Sequence, residues 1–78
     1  MKIHISNLSS AVIEAELHDL FSAYGAVSAV RISRDRTTGL AVGAAILEMP
    51  VTDEGKMAMK MLDNRLVLDR RISVSEIT

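Results

Sequence analysis

The sequence contains two stretches with helical hydrophobic periodicity and four stretches in which apolar and polar residues alternate. This order constrains the fold more than any other feature of the chain. The helical stretches cover about residues 12–24 and 52–63, and the alternating ones cover 2–6, 27–33, 40–49 and 72–77. Alternation is typical of a half-buried strand, and apolar residues three or four positions apart are typical of a helix with one buried face. The predicted order is therefore strand, helix, strand, strand, helix, strand.

This order predicts a ferredoxin-like βαββαβ arrangement. Right-handed crossovers place both helices on the same side of the sheet, with the first and third strands at its centre. We therefore expect a single α+β domain over residues 1–78, a two-layer sandwich in which two helices cover one face of a four-stranded antiparallel sheet. The other sheet face is expected to be open.

The helical stretches also predict which side chains face the core. On the first helix the inward residues are expected to be Ile13, Leu17, Leu20 and Phe21. On the second helix they are expected to be Gly55, Ala58, Met59 and Leu62, with Met57 and Met61 flanking this stripe. Asn64 follows the second helix and is expected to adopt the left-handed conformation that asparagine tolerates.

Several functional classes find no support in the sequence. The chain has no cysteine, which excludes thiol catalysis, disulfides and thiolate metal sites. No histidine, carboxylate and hydroxyl set converges, and no glycine-rich phosphate loop follows a strand. We therefore expect no enzymatic activity, no cofactor and no metal site. There is no apolar run long enough to cross a bilayer and no signal-peptide region, so no membrane partner is expected and a cytoplasmic location is the default expectation.

Four segments, in order and at matching spacing, resemble the RNA-recognition-motif family. Residues 3–8 (IHISNL) resemble the family's first-strand hexamer, and residues 16–25 (ELHDLFSAYG) resemble its first helix and closing glycine. Residues 31–39 (RISRDRTTG) are similar to its second strand and following loop, and residues 68–74 (LDRRISV) to its ending. The resemblance covers nearly the whole chain. It implies the same fold and a role in binding single-stranded RNA, or DNA, through the open sheet face.

The third strand departs from the family pattern. The family's octamer has a leading basic residue and two RNA-facing aromatic residues; here residues 42–49 (VGAAILEM) place Val42, Ala44 and Ile46 at those positions. His4 stands at the matching aromatic position of the first strand. Family members stack bases on such rings, and each stacked base contributes about 1–3 kcal/mol. The resemblance therefore implies a degenerate member whose binding is weak and salt-dependent.

Strand alternation predicts a mostly polar open face. Its expected residues are Lys2, His4, Ser6, Ala29, Arg31, Ser33, Val42, Ala44, Ile46, Glu48, Arg71, Ser73 and Ser75. The predicted helices hold six acids and two lysines, whereas the rest of the chain holds seven basic and four acidic residues. A chain with a net charge of −1 can therefore still attract a phosphate backbone on one side. The candidate nucleic-acid contacts are Lys2, His4, Ser6, Asn7, Arg31, Arg34, Arg36, Ala44, Ile46 and Arg71.

Each of these residues also has a plainer interpretation. The arginines are equally consistent with a solvated set paired with Asp35 and Asp69, and Asn7 with a turn cap. A rival function uses the apolar strip Val42, Ala44 and Ile46, since exposed aliphatic patches often mark protein contacts. The domain would then be a protein-interaction or homodimerisation module that has lost RNA binding. Loss of self-association in an Ile46→Asp variant, measured by sedimentation, would favour this alternative.

Overall fold

The computed structural model describes residues 1–77 and follows the predicted order of elements. The described chain contains two helices, four strands of a main sheet and one additional two-stranded hairpin. In chain order they are β1 (Lys2–Ser6), α1 (Glu14–Ser22), β2 (Ala29–Arg34), β3 (Ala41–Glu48), α2 (Thr52–Leu62), β4 (Leu66–Val67), β5 (Arg70–Arg71) and β6 (Ser73–Ile77).

The main sheet has the strand order β2-β3-β1-β6, and all of its neighbouring strands are antiparallel. The expected fold and the expected central position of the first and third strands are confirmed. Side chains alternate across a strand, so the odd-numbered residues Ile3, Ile5 and Leu47 of β1 and β3 share one sheet face and are fully buried. They pack in one core with Leu17 of α1 and Leu62 of α2.

The first helix is shorter than predicted, and this changes the place of one core candidate. Ile13 lies outside the helix in an extended conformation, and its side chain is 50% exposed. Its backbone N–H donates to Glu16 Oε1 at 3.4 Å, which satisfies a helix-end donor in the absence of a polar capping side chain. The preceding Val12 takes the inward position instead. The expectation that Ile13 belongs to the buried stripe is wrong.

The second helix buries Gly55, Ala58 and Leu62, as the periodicity predicts, and Met59 is partly buried against the core. Met57 and Met61 are about half exposed, so they do not flank the core as expected. Met57 precedes the buried Ala58 and Met61 precedes the buried Leu62, so each projects about 100° around the helix from a buried side chain. In residues 1–77 neither helix is long and apolar enough to span a membrane.

The short segment after α2 forms a hairpin that was not expected from the sequence. Leu66 pairs with Arg71 and Val67 with Arg70, and the turn passes through Leu68 at a φ of 57°. Asn64 has a φ of 65°, which confirms the expected left-handed residue after the helix. Because this hairpin uses residues 70 and 71, the last strand of the main sheet begins only at Ser73.

Candidate nucleic-acid interface

The open face of the sheet is ordered in rows, because the strand registers place specific side chains next to one another. The central row runs across four strands as Arg31, Ile46, His4 and Ser75. Directly opposed side chains in an antiparallel pair stand about 4.5–5.5 Å apart at Cβ. An exposed guanidinium, a partly exposed aliphatic side chain and a half-buried imidazole therefore form one continuous line at the middle of the face.

A second row lies at one end of the face. It consists of Ala29, Glu48, Lys2 and Ile77, again set by strand register. A cleft of about 230 Å³ opens between this row and the central one. Its lining residues are Lys2, Ala29, Arg31, Ile46 and Glu48. The cleft therefore has two cations, a carboxylate and an apolar floor.

The basic residues of this cleft have no anionic partner in the part of the chain that the structure describes. Among residues 1–77, neither Lys2 nor Arg31 lies within 4.0 Å of a carboxylate oxygen, and both side chains are exposed. The third row, towards the opposite end, contains the half-buried residues Ala44 and Ser6 together with Ser73. The structure thus brings six of the predicted contacts onto the open face: Lys2, His4, Ser6, Arg31, Ala44 and Ile46.

The opposite end of the face holds a second cleft, of about 360 Å³, beside the end of β1. Asn7 has a φ of 59° and turns the chain away from the sheet. Its Oδ1 accepts hydrogen bonds from Nε and Nη2 of Arg70, at 3.1 and 2.6 Å, and its Nδ2 donates to the Arg71 carbonyl at 2.8 Å. The Asn7 amide therefore joins β1 to the hairpin, and it orients the Arg70 guanidinium along the cleft.

The predicted apolar strip spans an irregular part of β3. Gly43 has a φ of 87°, and the register between β2 and β3 shifts between Ile32 and Arg34. Such an irregularity bends a strand. Val42 lines the cleft beside Asn7, whereas Ile46 lines the cleft at the other end of the face.

Two predicted phosphate contacts are engaged elsewhere. Arg34 Nη2 donates to Glu14 Oε1 at 2.7 Å, so this guanidinium is held at the start of α1 and not on the open face. The Glu14 backbone amide and then this guanidinium lower the pKa of the Glu14 carboxyl. Arg71 was expected on the open face, but it lies in the hairpin, where its Nη1 donates to the Asn64 carbonyl at 3.1 Å. The expected place of Arg71 among the open-face residues is therefore wrong, whereas the role of Arg34 as a phosphate contact stays a prediction.

Arg36 is exposed in the loop between β2 and β3. That loop is organised by Asp35, whose Oδ1 accepts from the backbone N–H groups of Thr37 and Thr38 at 2.8 and 2.9 Å. The Thr38 and Thr37 amides lower the pKa of the Asp35 carboxyl. Asp35 thus binds the loop backbone, and the expected pairing of this carboxylate with an arginine is absent from the described residues.

Two residues at the clefts were missed as candidate contacts, namely Glu48 and Arg70. Glu48 was expected on the open face, but its carboxylate was not linked to a ligand. Arg70 lies in a strand of only two residues, which is too short for alternation in the sequence to predict the side that its side chain faces. Its orientation is given by its contact with Asn7. Within residues 1–77, no group of three histidine, aspartate or glutamate side chains is arranged to hold a metal ion.

The family model described as RNA recognition motif matches residues 3–73. RbpA of Synechocystis sp., whose name designates an RNA-binding protein, is 34% identical over 76 residues, a match covering 97% of this chain and 75% of RbpA. RbpE of Nostoc sp. is 33% identical over 76 residues, covering 97% of this chain and 77% of that protein.

Solved structures show the same architecture. The crystal structure of RNA binding protein PG1 superposes with a TM-score of 0.95 at 32% identity, covering 99% of this chain and 93% of that one. A structure titled as a Sxl-lethal protein/RNA complex superposes with a TM-score of 0.93 at 28% identity, covering 99% of this chain and 46% of that one.

Proposed function

We propose, because the chain belongs to the RNA recognition motif family, that its open sheet face binds single-stranded RNA. RbpA and RbpE carry the names of RNA-binding proteins, and the Sxl-lethal structure is titled as a complex with RNA. The side chains on the open face of this chain are also suited to such a ligand. Single-stranded DNA offers the same phosphates and base faces, and is a natural second ligand to compare.

The central row is the observation that carries this proposal. Ile46 of β3 lies between Arg31 of β2 and His4 of β1, its direct neighbours on the two adjacent strands. The imidazole of His4 offers a ring on which a base can stack, and Ile46 offers an apolar surface beside it. The guanidinium of Arg31 then lies one strand away, where it can donate to a phosphate of the same strand of RNA.

The other predicted contacts take different places in this proposal. Ser6 and Ala44 line the path of the RNA along the third row, and Arg36 meets phosphates from the exposed loop. Asn7 holds Arg70 beside the second cleft, so its role in this proposal is to stabilise the fold and not to contact RNA. Arg34 and Arg71 contact RNA only if they give up their present partners, Glu14 and the Asn64 carbonyl, so we assign them no leading role.

The affinity is expected to be modest and strongly dependent on salt. Each neutralised phosphate of a single strand contributes about −0.7 to the slope of log K against log salt concentration. Three contacts, from Lys2, Arg31 and Arg36, give a slope of about −2 on this basis. With one imidazole as the only aromatic platform, stacking adds less than in relatives that carry several rings.

Fluorescence anisotropy with a labelled oligouridine, at salt concentrations from about 50 to about 200 mM, tests the proposal. Arg31→Ala should weaken binding and make the slope less negative by about 0.7. Lys60→Ala is the matched control, since it removes the same charge from an exposed site on α2. It should leave the slope unchanged. The absence of binding at the lower salt concentration, or an equal effect of both variants, would contradict binding through the open face.

A further inference from the structure

Glu48 is an unusual residue on a face that attracts phosphate. Among the described open-face residues it is the only carboxylate, and it is half-buried between Ala29 on β2 and Lys2 on β1. Its backbone carbonyl accepts from the Ser28 N–H at 2.9 Å, which holds the end of β3 in place. The side chain therefore projects from a rigid strand into the 230 Å³ cleft.

The Glu48 carboxylate has no cationic partner among the described residues. Within residues 1–77 it forms no ion pair within 4.0 Å, although Lys2 is its direct cross-strand neighbour. A negative charge here repels the phosphates of any RNA on the face and so weakens non-specific binding. A half-buried carboxylate also loses hydration unless donors replace the water. Both costs are offset if a bound base donates hydrogen bonds to Glu48.

We propose that Glu48 makes this cleft selective for guanine, an inference that rests on the proposed binding of RNA. The Watson–Crick edge of guanine presents two adjacent donors, N1–H and N2–H, and one acceptor, O6. A carboxylate can accept from both donors at once, and such charge-assisted bidentate bonds are the strong ones. The neighbouring Lys2 ammonium can then donate to O6, so the order of carboxylate and ammonium along the row complements this edge.

The other bases fit the pair less well. Adenine presents one donor beside the acceptor N1, which would face a carboxylate oxygen. Uracil presents its single donor, N3–H, between two carbonyl oxygens. Cytosine presents one donor, N4–H, and two acceptors. With adenine, uracil or cytosine, one Glu48 carboxylate oxygen either has no donor or faces an acceptor of the base. At a partly buried site this makes the binding free energy less favourable.

The rest of the cleft can accommodate a base. Ile46 provides an apolar floor, and the small side chain of Ala29 leaves space beside the carboxylate. Arg31 lines the same cleft and can meet the phosphate that follows the base. The guanine site therefore adjoins the central row and uses the same face as the proposed RNA path.

The test uses oligouridines of equal length that carry one central guest nucleotide, either guanine, adenine, cytosine or uracil. Anisotropy titrations should show the guanine oligomer binding more tightly than each of the others. A good bidentate contact gives discrimination of about 5- to 150-fold, and the lower part of this range is expected on an exposed sheet.

Glu48→Gln sharpens the test because the amide offers one acceptor and one donor, the pattern that complements adenine. This variant should bind the adenine, cytosine and uracil oligomers more tightly, since a negative charge is removed. The guanine oligomer should lose its advantage because the amide cannot accept from both of its donors, so the preference should move from guanine towards adenine. Glu76→Gln is the control. It removes the same charge from an exposed site on β6 whose cross-strand partner is the buried Ile3, so it should retain the guanine preference.

The outcomes separate the two proposals. If the four oligomers bind with salt-dependent but equal affinity, RNA binding stands and the guanine assignment is overturned. A preference for another base, or a guanine preference that persists in Glu48→Gln, overturns it as well. If none of the oligomers binds, the proposed function itself fails, and the inference fails with it.

Discussion

The two ends of the open face are built in opposite ways. At the end that holds Lys2, Arg31 and Glu48, the strands are regular and the charged side chains have no ion pair within the described protein. At the end that holds Asn7 and Arg70, the backbone is irregular and the polar side chains bind one another. Three left-handed residues, Asn7, Gly43 and Leu68, lie at this end or in the attached hairpin.

The polar groups at the Lys2 end are available to a ligand, whereas those at the Asn7 end hold the fold together. A rigid strand can present a charge that the protein leaves unsatisfied, because its backbone bonds are already made within the sheet. A chain end or tight turn has backbone groups that need partners, and polar side chains such as that of Asn7 supply them. We therefore expect substitutions at the Lys2 end to change ligand binding, and substitutions at the Asn7 end to change stability.

The largest expected effect is that of Asn7→Ala. The variant loses the amide bonds to Arg70 and to the Arg71 carbonyl, and it places alanine in a left-handed conformation. The loss in the free energy of unfolding should be about 2–3 kcal/mol, measured by urea denaturation followed by circular dichroism.

Asn7→Gly separates the two contributions, because glycine adopts the left-handed conformation without a Cβ penalty. It should recover about 1 kcal/mol of the loss. Oligouridine affinity should be nearly unchanged in both variants while they remain folded. A marked drop in affinity would show that the two ends act as one site, and the contrast between them would then be wrong.

An intermediate effect is expected from restoring an aromatic ring on the central row. Ile46→Phe places a ring between Arg31 and His4, where a base can stack on it. Affinity for oligouridine should rise by about 1 kcal/mol, or about fivefold, in anisotropy titrations. Val42→Phe adds the same ring at the Asn7 end and should have a smaller effect. Equal gains from the two variants would remove the distinction between the ends.

The smallest effect concerns the hairpin turn at Leu68. A leucine in the left-handed region costs about 1–2 kcal/mol, whereas glycine costs about 0.5–1 kcal/mol through chain entropy. Leu68→Gly should therefore stabilise the domain by about 0.5 kcal/mol. Leu66→Gly, on a strand of the same hairpin and equally exposed, should destabilise it. A loss of stability in Leu68→Gly would argue that the turn is not strained.

Much of the fold follows from local patterns. Alternation in β1 and β3 identifies which residues face the core, since the side-chain period of a strand is two wherever the strand is regular. The same parity predicts correctly that Lys2, His4, Arg31 and Ile46 share the open face. These predictions hold because each depends only on residues a few positions apart.

The errors lie where a contact distant in sequence decides the outcome. Arg34 was expected to contact phosphates, but a carboxylate 20 residues earlier binds its guanidinium at α1. Arg71 was expected on the open face of the sheet, but pairing with Leu66 places it in a hairpin. Charge and exposure predict that an arginine is on the surface, and they do not predict which partner is nearest.

The sequence by itself determined the order of the elements, the buried face of the regular strands and the absence of aromatic residues at Ala44 and Ile46. These are properties of composition and short-range periodicity. Only the tertiary structure decided that Asn7 binds Arg70, that Val42 and Ile46 line different clefts, and that Glu48 stands beside Lys2 without an ion pair. The physical reason is that strand register and loop closure bring together residues from distant parts of the chain, and their neighbours decide which polar groups stay available for a ligand.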